Sequence, residues 1–247
     1  MNNRNNLIKE LETESGLELN IISLIYNNEV EIEKKDVDKI ELFLNKLSYA
    51  NSILIIHGPG GDSNAGKALA IIFRKKFHKG FWTLVPRITS SAMLYTILIS
   101  TGVCISKKSV LTPLDPSFYY KGRYLRACIH LNDNSDEELQ RKARKHWENT
   151  TNFCMKILNT PGSICVHPDS LNLNKLEIIV KTLFIPKTHY SPITYLDLEK
   201  MRFEYLLIDE QDSFWKTVQD LISESLAYLS RENKRFVIDT SAKSEEK

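Results

Sequence analysis

Cysteine is scarce in this sequence. Four stand in 247 residues, Cys104, Cys128, Cys154 and Cys165, widely separated and without a CxxC pair. That excludes a disulfide-stapled scaffold, and reduced, structural thiols are expected. Cys165 and His167 have ligand chemistry, but no second pair accompanies them, so no metal site is expected. Excess charge is also lacking: 33 basic against 31 acidic residues leave a net charge of +2. Neither a nucleic-acid surface nor a polybasic membrane patch is implied. No long apolar run occurs. The longest stretch, 92–105, is broken by Thr96, Ser100, Thr101 and Gly102 and is too short for a membrane span. The first fourteen residues are polar and contain no segment that reads as a signal peptide, so a cytoplasmic location is expected. Internal repeats, linkers and low-complexity segments are absent as well.

What the chain does have is an ordinary globular composition, 42% hydrophobic and 26% charged. One α/β domain over residues 1–240 with a charged tail at 241–247 is the expectation. A helix is expected over 1–16, a strand over 18–25, and a helix over 36–50 capped by Asp36. Residues 52–57 (SILIIH) are β-branched and apolar without alternation, the pattern of a parallel strand covered on both faces. A helix over 65–77, a strand over 81–85, a helix over 91–100 and a strand over 102–105 continue a βαβαβ rhythm, which implies a parallel sheet. Further helices are expected over 133–158, 171–185, 193–201 and 213–231, with a strand over 203–208.

Two chemistries compete for the segment after the strand at 52–57. Residues 61–67 (GDSNAGK) match the GxxxxGK spacing of a phosphate-binding loop. That loop needs a hydroxyl after its lysine to hold magnesium, and position 68 is Ala68. The alternative takes Gly60 and Gly61 as a turn whose amides point at a bound carbonyl, half of an oxyanion hole. It calls for a nucleophile at the start of the next helix, where Ser90 and Ser91 stand, with the Ala92 amide completing the hole. Either serine could instead simply cap that helix.

The segments ILIIHGPGG (53–61), VPRITSSAM (85–93), SVLTPLDPS (109–117) and THYSPITYLDLEKM (188–201) stand in one order along the chain. In that order they resemble the four blocks of the serine dehydrogenase proteinase family, relatives of signal peptide peptidase A and the Clp protease subunit. The resemblance runs from about residue 4 to residue 210. It implies a ClpP/crotonase-like α/β fold, a parallel sheet of repeated ββα units with C-terminal helices. It also implies peptide-bond hydrolysis through an acyl-enzyme, no cofactor, a peptide or protein substrate, and assembly into a homo-oligomer. By position it assigns the nucleophile to Ser91 and the oxyanion hole to the Gly61 and Ala92 amides, with Gly60 allowing the turn. The departure from the family pattern is Met93, where glycine is usual.

A serine hydroxyl needs a base to take its proton. The place of the Clp-type histidine holds Leu114-Asp115-Pro116, and the block of the Clp-type aspartate holds Lys187-Thr188-His189. One arrangement exchanges the roles, with His189 as base and Asp115 as its orienting carboxylate. Another is a Ser–Lys dyad using Lys142, Lys145 or Lys187. A non-catalytic binding or scaffolding protein of the same fold is the alternative from a different functional class.

Overall fold

The computed structural model describes residues 3–16, 20–48, 52–132, 135–160, 162–163, 180 and 192–241. Its centre is a six-stranded sheet. Strands β1 (Asn20–Tyr26), β2 (Ser52–His57), β3 (Phe81–Val85), β5 (Gly102–Ile105) and β9 (Tyr205–Leu207) lie side by side and parallel, and β10 (Phe236–Thr240) pairs antiparallel with the outer edge of β1. Alternate residues of the inner strands feed two separate cores. Ile22, Leu24, Leu54 and Ile56 point into one, Ile21, Ile25, Ile53 and Ile55 into the other. This is why residues 52–57 show no alternation: both faces are covered, so no position needs to be polar.

Helices α2 (Lys34–Leu44), α3 (Ser63–Lys76), α4 (Leu94–Leu98) and α5 (Glu137–Leu158) lie over the first core. Helix α1 (Asn3–Glu14) and the C-terminal helix Ser213–Arg231 close the second, packed against each other. Asp36 is not the first cap of α2, as its position suggested, but the inner member of its capping box. Glu33 is the N-cap, and Asp36 sits one turn in, fully buried, accepting from the Glu33 amide at 3.0 Å and from Arg235 Nε and Nη2 at 3.2 Å each. The helix begins earlier because Glu33 and Asp36 form a capping box there, and Arg235, 199 positions away, holds the buried carboxylate.

A second, smaller layer of strands sits beyond the ends of the main ones. β4 (Ile88–Thr89) follows β3, β6 (Val110–Leu111) follows β5, and the two pair in parallel. Gly58, at the end of β2, joins this layer by a parallel bridge to Thr89, and Ile193 by an antiparallel bridge to Leu111. Long strand, short strand and helix thus recur as ββα units. The short layer also fixes the loops around it, since each turn after a long strand is hydrogen-bonded to the next. An antiparallel hairpin, β7 (Ser117–Tyr120) and β8 (Arg123–Arg126), follows and packs on α5 through Phe118 and Tyr120. Apart from Val180, which is helical and buried, the helix expected over 171–185 lies outside the described residues, as does the tail expected at 241–247 beyond Ser241.

Candidate active site

The site is built where two ββα units meet. The Gly58 amide donates to the Ile88 carbonyl at 3.3 Å, and the Ser90 amide donates to the Gly58 carbonyl at 3.1 Å. These bonds lock the glycine turn beside the start of the serine helix. Gly60 has φ +90, and a Cβ there would stand 2.5 Å from the Ser90 carbonyl oxygen and 2.8 Å from Ser91 Cβ. Gly61 has φ +140, and a Cβ there would meet the Ile32 amide at 2.4 Å. Both positions therefore require glycine on two counts, a left-handed backbone and the lack of room.

The two serines have different fates. Ser90 is buried, its carbonyl accepts from Met93, and its hydroxyl makes no capping bond. Ser91 opens into the cleft with φ +47, a left-handed conformation that a side-chain-bearing residue adopts only when its surroundings enforce it. Here they do: the Ser91 amide donates to Thr112 Oγ1 at 3.1 Å, and Gly60 lies against its Cβ. Among the described residues, neither the Gly61 nor the Ala92 amide donates a hydrogen bond, and both residues line the cleft with Ser91. Met93 turns the other way. It is buried, with Sδ against Gly58, and stays out of the cleft.

The cleft has a volume of about 1080 Å³. One wall is α2 and the segment before it, including Glu31, Asp38 and Glu41; the other is the β7–β8 hairpin and the segment leading to it, including Asp115, Tyr124 and Arg126. The Asp115 carboxylate is fully buried. It accepts from Cys128 Sγ at 3.1 Å and lies 3.8 Å from Arg126 Nε. Burial, with this carboxylate beside it, pushes the Cys128 thiol up to about 12. Histidine does not line the cleft among the described residues; His189 and Lys187 lie outside them, as do Cys165 and His167. Of the other lysines considered as bases, Lys142 pairs with Glu138 at 3.1 Å and Lys145 is exposed, and neither lines the cleft. His57, beside the glycine turn, is buried and donates from Nε2 to Asn28 Oδ1 at 2.8 Å. Burial first and the Arg87 guanidinium second lower it to about 4, so it stays neutral.

The phosphate-loop reading fails on this geometry. The helix begins at Ser63, so Gly66 and Lys67 lie inside it, and the Asp62 carboxylate accepts from the Ala65 amide at 2.7 Å, where an anion would have to bind. Gly66 serves packing instead: a Cβ there would strike the Ala92 carbonyl oxygen at 2.4 Å. Lys67 points over the rings of Tyr95 and Phe153, and burial holds its ammonium below its ordinary range.

Sequence reasoning missed the hairpin. Its signal was present: Lys121 and Gly122, both at positive φ, form a two-residue turn between aromatic segments.

No protein-family model matches the chain, and no curated protein matches it. Solved structures do. The 1510-N membrane-bound stomatin-specific protease superposes with a TM-score of 0.51 at 13% identity, over 85% of this chain and 86% of that one. ClpP1 from Listeria monocytogenes (TM-score 0.45, 12% identity, 82% and 96% covered) and the ClpP catalytic domain from Plasmodium falciparum (0.44, 12%, 84% and 92%) match more loosely. The fold is ClpP-like. Among the described residues no helix is long and apolar enough to cross a membrane.

Proposed function

We propose that this ClpP-like chain is a serine hydrolase of peptide bonds, allied to the serine dehydrogenase proteinases. The observation that carries the reading is Ser91: a strained residue lining the same cleft as Gly61 and Ala92, whose amides donate no hydrogen bond among the described residues. Backbone strain of this kind, enforced by neighbours on all sides, concentrates at functional sites. In the proposed reaction Ser91 Oγ attacks the peptide carbonyl carbon as its proton passes to a base. The Gly61 and Ala92 amides hold the oxyanion, and the amine leaves with the proton returned from the base. Water then cleaves the Ser91 ester by the same steps. His189 is the proposed base and Asp115 its orienting carboxylate. No cofactor enters. By analogy with Clp-type assemblies, the chain is read as a cytoplasmic homo-oligomer.

One observation favours a second reading, a binding protein that has kept the fold without the chemistry. Asp115 already has partners, in Arg126 and Cys128. A fluorophosphonate probe separates the two. It is expected to label the wild-type protein and not Ser91→Ala. His189→Gln should slow labelling at least 100-fold. Absence of labelling at every pH from 6 to 9 leaves the binding protein as the reading.

A further inference from the structure

The two walls of the Ser91 cleft differ in chemistry, and together they describe a side chain. On the hairpin, Ser117 pairs with Arg126 and Tyr119 with Tyr124, so these four residues share one face. Tyr119 and Tyr124 are 61% and 79% exposed, their ring centroids 5.3 Å apart in an edge-to-face pair. Tyrosines so exposed leave a large apolar area in water, and here that area is continuous with the cleft, because Ser117, Tyr124 and Arg126 also line it.

The facing wall is acidic. Glu31, Asp38, Glu41 and Asp62 line it, all exposed, against one cation, Lys34. Glu33 is excluded from this count because Lys35 and Arg235 hold it, at 2.7 Å and 3.0 Å. On the hairpin side Asp115 holds the Arg126 charge. Glu31 stands directly on the glycine turn, its Cβ 2.8 Å from where a Gly61 Cβ would be. The negative wall therefore reaches the peptide-binding end of the cleft.

An aliphatic stem that lies on aromatic rings and ends in a cation satisfies both walls. We propose that the cleft takes extended polypeptide segments bearing a lysine or arginine next to the bond presented to Ser91, with the stem on Tyr124 and Tyr119 and the charge toward Glu31, Asp38 and Glu41. This rests on the hydrolase reading for the identity of the bond. It does not rest on it for binding.

The test is direct binding to the Ser91→Ala protein, measured by fluorescence anisotropy with three labelled alanine-based peptides that carry lysine, norleucine or glutamate at alternate positions. Lysine peptide is expected to bind about tenfold tighter than the glutamate peptide, and the preference should shrink as sodium chloride rises, since exposed carboxylates are screened. Tyr124→Ala should weaken the lysine and norleucine peptides alike, about fivefold. The double variant Asp38→Lys/Glu41→Lys should reverse the lysine-to-glutamate order while leaving the effect of Tyr124→Ala in place. Equal affinities, a glutamate preference in the unaltered wall, or no binding of any peptide overturns the proposal. Loss of fluorophosphonate labelling with the lysine preference intact instead removes the hydrolase reading and keeps this one.

Discussion

The corner where Gly60 meets Ser91 and the hairpin that carries Tyr124 border the same cleft and are built in opposite ways. At the corner every atom is over-determined: the glycine turn is bonded to Ile88 and Ser90, Ser91 is tied to Thr112, and no Cβ fits at Gly60, Gly61 or Gly66. The hairpin is free on one face, its Gly122 has open space where a Cβ would be, and its tyrosines are largely in water. A nucleophile and its oxyanion donors need fixed geometry, within fractions of an ångström. A wall that sorts side chains does not. Substitutions at the corner should therefore appear in folding and chemistry together, and those on the exposed tyrosine face of the hairpin chiefly in binding.

The largest expected effect is at Gly60. Alanine there would need a left-handed backbone and would push the Ser90 carbonyl and Ser91 together, with no flexible side chain able to yield. Gly60→Ala should lose about 4 kcal/mol of stability, near the top of the range for one substitution. Urea unfolding measures it. Gly66→Ala presses α3 off the Ala92 carbonyl and should cost nearly as much. Gly122→Ala, on the hairpin at φ +83 but in open space, should cost only about 1 kcal/mol. Equal losses at Gly60 and Gly122 would show that the corner is no more constrained than the hairpin.

Next comes His57, which precedes the glycine turn and is tied to Asn28. Its folded pKa, about 4, lies below the ordinary value of 6.5. The neutral form is therefore the folded one, and the unfolded chain binds its proton first as pH falls. The stability it holds is full above pH 6.5 and is lost as pH drops through 4, about 3 kcal/mol across that window. His57→Gln keeps a donor for Asn28 and removes the titration. The wild-type melting temperature should fall more steeply than the variant's between pH 6.5 and 4, and parallel curves would show that the turn does not depend on a neutral imidazole.

Much of the corner was legible before any coordinates. Residues 52–57, 81–85 and 102–105 proved to be strands with those bounds, because buried parallel strands leave an apolar run closed by glycine and polar residues. The C-terminal helix Ser213–Arg231 was equally plain from its apolar stripe. Less legible was whatever long-range partners decide. Asp36 reads as a cap by position and belongs to the capping box with Glu33, but only Arg235 explains why its carboxylate is buried. The spacing of Gly61 and Lys67 mimics a phosphate loop because glycine and lysine serve equally well where a helix packs on a backbone and over two rings. Strand β10 is five residues long and joins the sheet antiparallel at its edge, where little periodicity is needed. The hairpin's Lys-Gly turn was readable but local; that its face borders the cleft is a fact of topology.

The smallest effect isolates strain at the nucleophile. Ser91→Ala and Ser91→Gly both delete the hydroxyl, so neither should react with a fluorophosphonate. They differ in Cβ. With φ at +47, alanine keeps the left-handed penalty and glycine releases it, a gain of about 1 kcal/mol offset in part by the greater freedom glycine has in the unfolded chain. Ser91→Gly should therefore unfold about 0.5 kcal/mol later than Ser91→Ala, resolved as a higher urea midpoint at unchanged slope. Tyr124→Ala, on the free face of the hairpin, should move the midpoint by less than that, because the ring it removes is already in water. If alanine and glycine at 91 unfold together, the left-handed serine stores nothing, and the contrast between a strained corner and a relaxed wall loses its energetic basis.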